Sequence, residues 1–197
     1  MRVLGIDTDS KGCFSVLDDE AHTLDLFYVP TTETEKRRAD FDRRLLIEGL
    51  ATIFERPVDY VYFEEQWSRA NQSSVATFTF GHVYGGLLQA THDIAYFTEQ
   101  TPVFIPVSGG EWKAKLSLDS DKSKAVRLAD RVFPNCTKGW ELASRRAKRS
   151  GKYTSGAESS LIAFYGSVLQ RNRVRLTSNL TFYQSFELGD LFGGTDT

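Results

Sequence analysis

The chain has 197 residues, with 24 Lys or Arg against 26 Asp or Glu, a net charge of -2, 41% hydrophobic and 25% charged residues. This composition describes one ordinary globular domain and excludes disordered and collagen-like chains, and its length allows roughly 70% of the unfolded surface to be buried without a disulfide or structural metal. The apolar runs fall far short of the roughly 20 residues a bilayer span needs, and Met1-Arg2-Val3-Leu4-Gly5 enters a strand-like pattern at once, so no signal peptide, no membrane role and an intracellular location are expected.

Residues 2 to 6 read as a short apolar strand running into the turn-rich Asp7-Thr8-Asp9-Ser10-Lys11-Gly12. Cys13 to Leu17 and Leu24 to Val29 are expected to complete an antiparallel meander, with His22 a surface turn residue. From Asp40 the spacing turns helical, with Phe41, Leu45, Leu46, Leu50 and Phe54 on one face until Pro57. Tyr60 to Phe63 is a short strand leading into Glu64-Glu65-Gln66. Ser74 to Thr91 is helical, with Phe80, Tyr84, Leu87 and Leu88 in register and Gly81 and Gly85 four apart; His82 and His92 have no ligand-spaced partners and read as structural. Pro102 to Val107 is a further strand, Asp121 caps a helix that runs to Phe133, and Pro134 ends it. Ala157 to Leu169 is a last helix, and residues 171 to 197 extend the same domain. The order of elements predicts an α/β fold with a mixed sheet and no internal repeat.

Charge is uneven along this order. Lys138 to Lys152 holds six basic residues and one acid, a local +5 that leaves -7 for the remainder. The overall balance argues against a nucleic-acid partner, yet such a run, bracketed by Trp140 and Tyr153, suits either a solvated face or a phosphate-binding patch. Cys13 and Cys136 lack CxxC spacing, which fits a reducing compartment and disfavours thiolate zinc sites. Acids stand at two strand ends, Asp7 and Glu64 or Glu65, and at a helix start, Glu158, where the helix dipole favours them. Brought together they repel unless cations intervene, and an all-oxygen cluster suits Mg²⁺ or Mn²⁺. Two such ions about 4 Å apart activate water and stabilise the leaving oxygen of a phosphodiester.

Leu4-Gly5-Ile6-Asp7-Thr8-Asp9-Ser10-Lys11-Gly12 resembles the first motif of RuvC-type Holliday junction resolvases. Tyr62-Phe63-Glu64-Glu65-Gln66 is similar to the family's Ile-Glu-Gln motif, and aligning Glu-Gln assigns the ligand to Glu65. Asn71 to Ala90 resembles the helix that follows. Pro106 to Lys113, Asp121-Lys122-Ser123-Lys124 and Phe133-Pro134 look like the chloroplast and viral branches. Gly156 to Gly166 resembles the last motif, in which an acid opens the final catalytic helix.

The resemblance covers residues 2 to 170 and implies a ribonuclease H-like nuclease domain over residues 1 to 170, with a mixed five-stranded sheet flanked by helices. It further implies a homodimer that resolves four-way DNA junctions by symmetric nicks, acting in a DNA-containing compartment. Asp7, Glu65 and Glu158 are then the catalytic metal ligands for Mg²⁺, with Mn²⁺ as substitute. The family places a further Asp or His three or four residues before the last acid, where this chain has Ser155 and Thr154. Thr154, Ser155 and Asp9 are therefore possible members of the metal shell, Glu64 is another candidate, and a junction-binding protein without cleavage is the alternative. Trp67, Arg69 and Asn71 occupy the loop expected at the junction centre. Lys113, Lys122, Lys124, Arg145, Arg146, Lys148, Arg149 and Lys152 are the expected phosphate contacts, and Gly81 and Gly85 the expected close approach across the dimer axis.

Overall fold

A computed structural model describes residues 1–9, 11–33, 39–67, 72–136 and 154–177. Strands β1 (Arg2–Asp7), β2 (Cys13–Asp18) and β3 (Thr23–Tyr28) form the expected meander. A hairpin of β4 (Thr31–Glu33) and β5 (Ala39–Phe41) follows, and then α1 (Arg43–Ile53). The helical spacing from Asp40 thus began too early: Phe41 ends a strand, and Asp42 is the cap, its carboxylate accepting from the Leu45 N–H. β6 (Tyr60–Glu65), α2 (Ser74–Phe97), β7 (Val103–Ser108), a short α3 (Gly109–Lys115), α4 (Lys122–Val132) and α5 (Thr154–Thr177) complete the order. α3 carries no long apolar period and was not expected. Among the described residues no helix is long and apolar enough to cross a membrane.

The five-stranded sheet has the order β3-β2-β1-β6-β7, with β1, β6 and β7 parallel and the meander antiparallel. Strand parity sorts its side chains into two cores. Leu4, Ile6, Phe14, Val16, Val61 and Phe63 face α1 and α2, where they pack with Leu46, Leu50, Val83 and Leu87. Val3, Leu17, Tyr62 and Val107 face the other way, onto Leu128 and Ala129 of α4 and Leu161 and Ile162 of α5. Because β1 is covered on both faces, its sequence is apolar from Val3 to Ile6 rather than alternating.

Gly5 lets α5 lie directly on β1. A Cβ there would collide with the Ser159 carbonyl oxygen and sit 2.5 Å from the Ala163 amide nitrogen, both rigid helix backbone. Gly5→Ala is therefore expected to cost at least about 3 kcal/mol, the upper part of the overpacking range, because neither partner can rotate away. Urea denaturation measures this, and a loss below about 0.5 kcal/mol would mean that the helix shifts freely.

The β2–β3 turn is held by Asp18, whose carboxylate accepts from the Glu20 and Ala21 N–H groups and pairs with Arg56 at 2.5 Å. These bonds hold its carboxyl below the usual range, the Ala21 N–H contributing most. His22 sits exposed at φ 52°, consistent with a turn.

Candidate active site

β1 and β6 run side by side in parallel, and the last paired residues are Ile6 and Phe63. One step further, Asp7 and Glu64 project from the same face, the one covered by α5. The Thr8 hydroxyl locks these strand ends together by donating to the Glu64 carbonyl at 2.8 Å. Glu158 comes to this face from α5. That helix begins at Thr154, so Glu158 lies a full turn inside it and not at its opening, which weakens the dipole argument for an acid there.

Asp7, Glu64 and Glu158 line one cleft of about 510 Å³ with Asp9, Gln66, Trp67, Gln72, Phe80, Lys113 and Lys122. Asp7 and Glu158 are both 5% exposed. Burial pushes the Asp7 carboxyl up to about 7, and the charges of Glu158, Glu64 and Asp9 push the same way, against a hydrogen bond from Ser155. The Glu64 carboxyl is also raised, chiefly by burial, with Lys113 opposing. The site therefore concentrates negative charge that the protein alone does not fully compensate.

Glu64 is cradled. The Gln66 amide donates to its Oε2 at 3.4 Å, and a Cβ at Gly109 would strike its Oε1. The fully buried Trp112 indole also favours the charged form of this carboxylate, although its N–H completes no hydrogen bond within ordinary limits among the described residues.

Glu65, in contrast, is one residue on and faces α2, where its charge acts on Tyr84. The alignment that assigned the ligand to Glu65 is at odds with strand parity: of the two adjacent glutamates, Glu64 lines the cleft with Asp7, Asp9 and Glu158. Parity was the available signal. Ile6 and Phe63 both precede an acid, and both point into the core of α1 and α2.

The other expected residues divide. Asp9 lines the cleft, Ser155 bonds to Asp7, and Thr154 is buried at the first position of α5. Trp67 stands at the cleft, 72% exposed, so it is no core residue. Lys113 and Lys122 line the cleft, whereas Lys124 pairs with Asp119 at 2.5 Å outside its lining. Arg69, Asn71, Arg145, Arg146, Lys148, Arg149 and Lys152 lie outside the described residues. His82 stacks on Phe41 and His92 on Phe104, in keeping with structural roles. Gln72, Phe80 and Trp112 lie within segments that resemble the family, but nothing in those segments marks them as site residues.

Among the described residues, no three His, Cys, Asp or Glu groups stand in a geometry that holds a metal ion. The donor chemistry nonetheless fits a hard divalent cation: the acids facing the cleft offer only oxygens, and a cation there would offset the burial and the neighbouring charges that raise Asp7.

No protein-family model and no curated protein sequence matches the chain. Solved structures do. RuvC of T. thermophilus in complex with a Holliday junction substrate aligns over 87% of this chain and 96% of its own, with a TM-score of 0.57 and 15% identity. Thermus thermophilus RuvC alone aligns over 86% and 97%, with a TM-score of 0.51 and 16% identity. The yeast mitochondrial Holliday junction resolvase Ydc2 aligns over 91% and 84%, with a TM-score of 0.45 and 18% identity. The fold is the ribonuclease H-like mixed sheet flanked by helices, in its RuvC-type form.

Proposed function

We propose that the chain is a divalent-metal-dependent endonuclease that resolves four-way DNA junctions as a homodimer. The observation that carries this reading is the convergence of Asp7, Glu64 and Glu158 with two lysines in one cleft of a RuvC-type fold. Asp7, Glu64 and Glu158 would hold Mg²⁺ or Mn²⁺, with Ser155 orienting Asp7 and Asp9 near the rim. Such ions supply an activated water and charge stabilisation on the departing oxygen. Lys113 and Lys122 offer ammonium groups to the phosphate, and Trp67 offers an exposed ring on which an unpaired base can stack. The products expected from the resemblance are a 5′ phosphate and a ligatable nick, and the likeness of β7, α3 and α4 to the chloroplast and viral branches belongs to the same proposal.

The surface of α2 supports a dimer. A Cβ at Gly81 or Gly85 would meet nothing within 4 Å, so these glycines serve no close packing among the described residues. They share a helix face with Phe78, which is 75% exposed. A second copy of α2 could approach closely there.

A second reading, junction binding without cleavage, is favoured by the hydroxyls of Thr154 and Ser155 at positions where the family has an Asp or His. A labelled four-way junction, with linear duplex and flap controls, incubated with and without Mg²⁺, separates the two. The wild type is expected to cut the junction only with Mg²⁺, and Asp7→Asn is expected to bind it within about threefold of the wild type while cutting at most about a thousandth as fast. Wild-type binding without cutting would establish the second reading, and equal cutting by Asp7→Asn would overturn the first.

A further inference from the structure

The acids of the cleft already have a cation among them. The Lys113 ammonium lies 3.0 Å from Glu158 Oε1, and its side chain is only 24% exposed. It stands 5.0 Å from the centroid of the Trp112 ring, which fixes the approach of its stem from α3. The Lys122 ammonium reaches the other Glu158 oxygen at 3.9 Å, but that side chain is 61% exposed and more freely solvated. Lys113 is therefore the closer and less exposed of the two cations on this buried carboxylate, and its charge also favours ionised Glu64. A divalent ion drawn to Glu158 meets an ammonium already in contact with that carboxylate.

We propose that Lys113 is the resident counter-cation of the cleft, and that a divalent ion and Lys113 compete for Glu158. The inference rests on the metal-dependent reading above. Two consequences follow from the charges. Metal binding is weakened by the neighbouring ammonium, and the ammonium freed from Glu158 becomes available to a substrate phosphate. A phosphate that draws Lys113 away in turn frees Glu158 for the ion, so junction and metal each favour the other's binding, as linkage requires. The cleft thus holds its lysine in reserve until both ligands are present.

The test is Mn²⁺ binding to the full chain without DNA, followed by calorimetry and by the loss of the free-ion electron paramagnetic resonance signal. Removing a unit charge about 5 Å from a divalent ion in a solvated cleft changes affinity by about tenfold. K113M, which keeps most of the stem, and K113Q are both expected to bind Mn²⁺ about tenfold more tightly than the wild type. K113R keeps the charge and is expected to stay within about twofold, which a packing role for the stem would not produce. K124M, which removes a lysine paired outside the cleft lining, is expected to leave the affinity unchanged. With junction present and Mn²⁺ saturating, K113M is expected to cut at least tenfold more slowly, so tighter metal accompanies slower cleavage. Neutral variants that bind Mn²⁺ no more tightly than the wild type would overturn the competition while leaving the nuclease reading intact. A wild type that binds no Mn²⁺ at millimolar concentration would overturn both.

Discussion

Glu64→Gln is expected to lower junction cleavage by about a thousandfold, while Glu65→Gln stays within about threefold of the wild type. The two residues are adjacent and of the same type. Their difference is parity: Glu64 points to the face that holds Asp7 and Glu158, and Glu65 to the face of α2, beside Tyr84. The amide keeps the size of the side chain and its contact with Gly109, so Glu64→Gln removes charge with little change in packing. Its junction affinity is expected to hold within a few-fold, since the lysines remain. The measurement is single-turnover cleavage at saturating Mg²⁺ for both variants. A large loss in Glu65→Gln with Glu64→Gln unaffected would return the ligand to Glu65 and require β6 to be rotated or shifted by one residue.

The second large effect is on stability. Metal-free wild type is expected to lose roughly 3 kcal/mol more between pH 5 and pH 8 than Asp7→Asn does, from a one-proton difference acting over about two pH units. The sign follows from the direction of the shift. The folded carboxyl holds its proton up to about 7, while the unfolded chain releases it near 3.8. The contribution is present in full below the unfolded value and is lost as the pH rises through the folded one, because above that point the fold must carry a buried anion beside Glu158, Glu64 and Asp9. Asn at this position carries no proton to lose, so its profile lacks that slope. Urea denaturation in chelator at pH 5, 6, 7 and 8 gives the comparison, and parallel profiles for the two proteins would show that Asp7 is ionised without cost. Adding Mg²⁺ at pH 8 is expected to restore stability to the wild type and much less to Asp7→Asn.

Local patterns in the chain were enough for most of the frame. The meander, the strand ending at Asp7, the strand after Pro57 and the Asp121 cap are set by neighbours in sequence, through alternation, turn residues and capping, and they appear where expected, while the last helix is present but runs from Thr154 to Thr177 rather than from Ala157 to Leu169. Elements with weak local signals were missed or misplaced. The β4–β5 hairpin has strands of three residues each, and α3 has seven residues, too few for an apolar period to emerge. Phe41 matched a helical stripe by spacing alone, although it belongs to the strand before the cap.

The site was legible as a set of acids, since Asp7 and Glu158 stand out by position and by resemblance. Of two adjacent glutamates motif alignment chose Glu65, whereas Glu64 is the one that lines the cleft, because that choice depends on which face of the sheet α5 covers. Contacts between β1, β6 and α5 join residues more than fifty positions apart. No local rule carries that information. The same holds for Lys113, which belongs to a helix the periodicity does not reveal and meets Glu158 only because α3 and α5 pack on one side of the sheet. The sequence by itself determined most of the strand and helix order, the net charge and the presence of carboxylates at two strand ends, because these depend on short-range sterics and composition. Only the tertiary structure decided that Asp7, Glu64, Glu158 and Lys113 share one cleft, because strand parity becomes a choice of face only once the helices have covered the sheet.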